Sequence, residues 1–197
     1  FAHRDDAFAD GAVPDAYAIL TRLLDGIVGG LVPPFTLSKL EGDAVFAFAT
    51  DRDAVPKGSD VLACFAGCYS GFRQQVGSAK EIWPCWCDAC ANIETLDLRF
   101  ILHAGPFVLQ EIAGQRELVG PEVVIAHRLL KSSAPELAGR SGFALVTSAA
   151  AEQPRQPGAS PGRAPAGGIP ELRRVEAGDV AHRQQGACTA AAIERKQ

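Results

Sequence analysis

The sequence predicts an α+β domain, and three observations carry that reading. Apolar residues recur at helical spacing in three segments. Between these lie short segments in which apolar residues alternate or run unbroken, as strands require. Glycine, proline and small acidic residues punctuate the joins. Read in order, the elements are helix, β-hairpin, helix, strand, strand, helix, strand, a layered α+β sandwich.

The first helix opens at Pro14-Asp15, where proline suits the first helical turn. Ile19, Leu20, Leu23, Leu24, Ile27 and Val28 follow at spacings of three to four, and Gly29-Gly30 is expected to end it. Thr36–Leu40 and Ala44–Ala49 flank Glu41-Gly42-Asp43, which predicts a tight hairpin with an acidic tip. Ser59-Asp60 caps a second helix carrying Val61, Leu62, Phe65, Tyr69, Phe72 and Val76 on one face. A cysteine-rich loop follows. Leu96, Leu98, Phe100 and Leu102 then alternate with Asp97, Arg99 and His103 as a strand. Gly105-Pro106 turns the chain into a short strand near Phe107–Ile112. Pro121 starts a third helix through Lys131, and Phe143–Thr147 is a last strand.

The 197 residues (20.7 kDa) suit one domain with loose ends. Residues 1–12 show no apolar period, 13–150 form the expected folding unit, and 151–197 read as a disordered low-complexity tail. That tail holds Pro154, Pro157, Pro161, Pro165 and Pro170 and no aromatic residue, so it has little to bury against its ordering entropy. A chain that starts with Phe and has no Met suggests a fragment, and a shifted reading frame is one account of the tail. Lys+Arg 19 against Asp+Glu 23, a net charge of −4, argues against a nucleic-acid partner bound by phosphate neutralisation. The longest apolar run, Ala44–Ala49, is far short of the roughly 20 residues a membrane span needs, so no membrane insertion is expected. With no export signal, the six cysteines read as reduced thiols of a cytoplasmic protein.

Three segments carry candidate chemistry. A carboxylate at the hairpin tip, Asp43, beside Gly42 suits a hard divalent cation and its phosphates, with Lys39 four positions earlier; the same residues also make an ordinary solvated turn. Downstream, Glu117 precedes a helix bearing His127 and Arg128, whose planar fork suits a triphosphate; an exposed helix arginine is the plain alternative. Cys85, Cys87 and Cys90 offer three thiolates for zinc, one short of a structural site, with free thiols or redox chemistry as the alternative. Cys64, Cys68 or His103 could complete such a set. Cys64 and Cys68, at i and i+4, read first as small core residues, and His103 as a strand residue satisfied by a backbone partner. Trp83 and Trp86 flank the loop as packing residues.

Taken together, Lys39-Leu-Glu-Gly-Asp43, Arg99-Phe-Ile-Leu-His103-Ala-Gly105-Pro and Gly120-x-x-Val-x-x-Ala-x-Arg128 resemble the class III adenylate/guanylate cyclase domain over about Tyr17 to Ala150. The Cys85-Trp-Cys87-Asp-Ala-Cys90 insert looks like an uncharacterised bacterial branch of that superfamily. The resemblance implies a ferredoxin-like, cyclase-type antiparallel sheet packed with helices. It implies a purine nucleoside triphosphate substrate, Mg²⁺ or Mn²⁺, a homodimer with shared sites, and attack of the ribose 3′-oxygen on the α-phosphate. Position by position, it makes Asp43 a metal ligand, Lys39 and Glu117 readers of the base, and Arg128 the catalytic, transition-state arginine. Lysine donates to adenine N1 and a carboxylate accepts from the exocyclic amine, so ATP is favoured over GTP.

Two departures set the expected activity. The family's first strand, Asp-Ile-x-Gly-Phe-Thr with the first metal aspartate, has no counterpart, and its absence leaves an expected gap in the sheet. The asparagine expected seven residues after the acid is Val124. Losing one such donor typically costs about a hundred- to a thousandfold in rate, so a weak or inactive cyclase is expected. The alternatives are a non-catalytic nucleotide-binding regulatory module and a zinc or thiol interaction domain centred on Cys85–Cys90.

Overall fold

The computed structural model describes residues 15–50, 59–82, 91–131, 142–151, 171–175 and 185–195, with the last two segments described as backbone. The elements are α1 (Asp15–Leu31), β1 (Thr36–Glu41), β2 (Ala44–Thr50), α2 (Ser59–Ile82), β3 (Leu96–Pro106), β4 (Val108–Ile112), β5 (Gln115–Val119), α3 (Pro121–Lys131), β6 (Phe143–Thr147), α4 (Ser148–Ala151), β7 (Glu171–Val175) and β8 (Gln185–Arg195). A six-stranded sheet runs β1-β2-β8-β3-β6-β7, and β4-β5 forms a separate two-stranded ribbon. β1–β2, β2–β8 and β8–β3 pair antiparallel, as the cyclase-type sheet implied, whereas β3–β6 and β6–β7 pair parallel. The architecture is α+β, with both faces of the sheet covered.

The two faces follow from the strand period. In β2, Val45, Ala47 and Ala49 point to α1 and α2, where they meet Leu23, Ile27, Phe65, Phe72 and Val76. Small side chains there let the helices lie close to the sheet. Phe46 and Phe48 point the other way, into a second core with Phe107, Leu118 and the α3 residues Val123, Ala126 and Leu130. Phe100 of β3 stacks on Phe65 of α2 with centroids 4.6 Å apart, locking the helical layer to the sheet's centre.

Several boundaries differ from expectation. α1 runs through Gly29-Gly30 to Leu31. Gly30 is a contact glycine: a Cβ there would sit 3.0 Å from Cβ and Sγ of Cys68 on α2. Pro33 and Pro34, which lack N–H donors, follow the helix instead. The strand expected at Phe107–Ile112 starts at Val108 and continues into an unanticipated partner, β5, through a turn with Ala113 and Gly114 at φ 53° and 77°. Two of the polar residues that alternate along β3 are also buried: Asp97 is 1% exposed and bonded by Tyr69 of α2, and His103 is 2% exposed beneath Glu122 of α3.

The tail also differs. Within 151–197, expected as disordered, the structure places β7 and β8. β8 fills the gap anticipated between β2 and β3, in register from Ala44↔Ala192 to Thr50↔Gly186 on one side. On the other it pairs from Leu96↔Arg195 to Pro106↔Gln185. Composition missed this because a central strand is held by main-chain hydrogen bonds on both sides, for which alanines suffice.

Candidate functional site

A cleft of about 380 Å³ opens between β1 and the β4-β5 ribbon. Leu37, Phe48 and Leu109 give it apolar walls, and Ser38, Arg116 and Glu117 line it with polar groups. The β1 ladder shifts register between Leu37 and Lys39, a bulge that re-aims Lys39 along the strand. Lys39 Nζ lies 3.4 Å from Glu117 Oε2, across 78 residues of sequence. It also lies 3.1 Å from Glu41 Oε1 on its own strand. The second Glu41 oxygen, Oε2, is 3.1 Å from Nδ1 of His127. The His127 ring stacks on Phe46 with centroids 4.4 Å apart. Glu117, Lys39, Glu41 and His127 thus form one continuous polar chain from the cleft to α3.

The chain tunes its own charges. Partial burial works to lower the Lys39 pKa, but bonding and charge from Glu41 and then Glu117 outweigh it and hold the ammonium above its ordinary range. Burial would raise Glu41, yet the Lys39 bond and the charges of His127, Lys39 and Lys131 hold its carboxyl below the usual range. For His127, burial lowers the pKa; repulsion from Lys39 and Lys131 adds to it, and the net shift is downward despite Glu41.

Of the residues expected to act together, Lys39 and Glu117 meet in the cleft. Asp43 stands exposed at the hairpin tip, and Arg128 is exposed on α3; neither lines the cleft. Val124 is 49% exposed. Among the described residues no three His, Cys, Asp or Glu side chains are placed to hold a metal ion. Asp43 is a single carboxylate, one ligand of the two-metal centre that the resemblance implies. Cys85, Cys87 and Cys90 lie outside the described residues. Cys64 and Cys68 are small residues packed on α1: Cys64 Sγ donates to the Gly30 carbonyl at 3.4 Å and Cys68 Sγ to that of Ile27 at 3.8 Å. Burial pushes the Cys68 thiol up to about 12, so it is an inert protonated thiol.

Sequence reading passed over two features. By sequence Glu41 reads as part of a turn and His127 as a neighbour of Arg128; the lysine two residues before Glu41 is the signal that points to a pair. His103 has side-chain partners, not the expected backbone one: Nε2 lies 2.6 Å from Glu122 Oε2 and Nδ1 2.9 Å from Thr147 Oγ1. His103, Glu122 and Thr147 are all buried, and Gly105 leaves room for Glu122, since a Cβ there would lie 2.4 Å from Glu122 Cγ. With no opening to solvent, this trio braces β3, α3 and β6.

Residues 20–137 match the family described as protein of unknown function (DUF2652), and the chain belongs to that family. It is also similar to a protein of Mycobacterium tuberculosis named Uncharacterized protein Rv2561/Rv2562, at 31% identity over 118 residues. The match covers 59% of this chain and 53% of the relative, so the chain spans about half the length of that protein. No solved structure gives a significant match.

Proposed function

We propose that this DUF2652 member is a cyclase-like domain that binds a purine nucleotide, ATP in preference to GTP, without efficient turnover. The observation that supports it best is the Lys39–Glu117 pair at 3.4 Å, meeting in a cleft with apolar walls. Adenine offers N1 as an acceptor for the Lys39 ammonium and its 6-amino group as a donor to Glu117; guanine presents the opposite polarity on that edge. Leu37, Phe48 and Leu109 supply apolar surface for the ring, and the Arg116 guanidinium is placed to meet phosphate oxygens. Mg²⁺ or Mn²⁺ enters this reading with the nucleotide, as counter-ion to its phosphates. Asp43 and Arg128 do not line the cleft, and Val124 stands where the transition-state asparagine is expected, which favours the binding module over the enzyme.

Two finer readings accompany this. The β4-β5 ribbon exposes Val108 at 52%, Ile112 at 51% and Val119 at 40%, an apolar face that suits a second copy of the chain in a homodimer. No helix among the described residues is long and apolar enough to cross a membrane, and the free thiols of Cys64 and Cys68 suit a reducing, cytoplasmic setting.

The test is calorimetric titration of ATP and GTP into the full chain, beside Lys39→Ala and Glu117→Ala. ATP should bind more tightly than GTP, and each variant should weaken ATP by about tenfold, the value of one hydrogen bond to a charged group. Absence of ATP binding, or binding indifferent to both variants, overturns the reading. Robust cyclic nucleotide production would overturn the non-catalytic part alone.

A further inference from the structure

We propose that Glu41 is the positioning residue of the base-reading pair, holding Lys39 in place and tying it through His127 to α3; the inference rests on the nucleotide reading above. In the ligand-free chain Lys39 is shared, 3.1 Å from Glu41 and 3.4 Å from Glu117. When Glu117 turns to accept from a 6-amino group, it releases Lys39. Glu41 is then the carboxylate that remains, and it sits two residues along the same strand, on the same face as Lys39.

Glu41 is itself held from two sides. Oε1 takes Lys39 and Oε2 takes His127 Nδ1, so each oxygen has one donor from a different element. Lys131 adds a third positive charge nearby. A carboxylate only accepts, so His127 must carry a proton on Nδ1, whether the ring is neutral or charged. Stacking on Phe46 keeps the ring in that orientation. Lys39 and Glu41 are about one-third exposed, at 35% and 33%, and surface pairs of this kind add little to stability. Their value is geometric. Without Glu41, the ammonium has only Glu117 to pair with, and the two groups that should grip the base neutralise each other.

The experiment uses the full chain with Glu41→Gln and His127→Phe, the latter keeping the stacking surface while removing the Nδ1 donor. Glutamine has one acceptor oxygen and one donor group, so it cannot serve Lys39 and His127 together. ATP and GTP affinities are measured by calorimetry, and the protonation of His127 by ¹⁵N imidazole shifts without ligand. Glu41→Gln should weaken ATP by about tenfold and narrow the ATP-to-GTP ratio, with the unfolding midpoint unchanged; His127→Phe should cost about threefold. Ligand-free wild type should show a protonated Nδ1, and its ¹⁵N shift should move in Glu41→Gln, where the charged acceptor is gone. Wild-type binding matched by Glu41→Gln overturns the inference and leaves the nucleotide reading standing. If wild type binds no ATP, the nucleotide reading fails, and the imidazole spectrum still judges the link: a bare Nδ1 in wild type, or an Nδ1 shift unmoved in Glu41→Gln, overturns it, and a protonated Nδ1 that shifts in Glu41→Gln upholds it.

Discussion

The buried trio of Glu122, His103 and Thr147 invites the sharpest perturbation. Removing the Glu122 carboxylate by Glu122→Ala leaves the His103 Nε2–H, in a ring 2% exposed, with no acceptor where one stood at 2.6 Å. Stranding a buried partner of a charge-assisted bond costs about 3 kcal/mol. Glu122→Gln keeps an acceptor oxygen and should cost only about 1 kcal/mol. Gly105→Ala attacks the same bond from the strand, because the new Cβ would lie 2.4 Å from Glu122 Cγ; it should cost about 2 kcal/mol. The two effects share one side chain, so they should not add. In the double variant the close contacts with Glu122 Cγ and Cδ are gone and only the Cβ contact at 3.0 Å remains, so the total should fall short of the sum by about 1–2 kcal/mol. Urea unfolding of the five proteins, wild type included, followed by circular dichroism, reads all these values from midpoints at constant m. Glu122→Ala within about 0.5 kcal/mol of wild type, or strict additivity with Gly105→Ala, would refute the reasoning.

Two further outcomes are expected. The His127 pKa lies below its ordinary 6.5 in the folded chain, so the unfolded chain binds the proton more readily, and stability should fall as pH drops below about 6.5. Glu41, held below 4.5, adds stability that is present above that pH and lost as pH falls through its folded value; Lys39, held above 10.5, adds stability that is lost as pH rises through its own. Melting temperature against pH should therefore plateau between about 7 and 10, and His127→Phe should remove the loss near 6.5; an unchanged profile counts against the assignment. Ala190, opposite both Phe46 and Ile101, tests β8: Ala190→Pro deletes a ladder donor in a central strand and should cost at least about 2 kcal/mol. Hydrogen exchange in β2 and β3 should accelerate, and unchanged protection would show that 185–195 does not stand between them.

Much of the fold is legible in the chain because local periodicity is a property of the chain. The 3.6-residue spacing of Ile19, Leu23 and Ile27, the Glu41-Gly42-Asp43 tip and Pro121 at a helix start each predict an element that the structure contains. Lys39 and Glu117 were singled out by resemblance and not by local spacing, and the structure brings the two together. What lay beyond local reading depends on contacts distant in sequence. Gly30 reads as a stop until Cys68 is seen against it, and His103 reads as a strand residue with a backbone partner until α3 lies over β3 with Glu122 at its first turn. The alanines of 185–195 lack the bulk that marks a core strand, yet hydrogen bonds to β2 and β3 place them at the sheet's centre. The sequence by itself determined the helices, the hairpin and the types of group available to a ligand. Only the tertiary structure decided which of them meet, joining Lys39, Glu41, Glu117 and His127 and leaving Asp43 and Arg128 apart, because side-chain proximity across 78 residues is set by packing of the sheet and not by spacing along the chain.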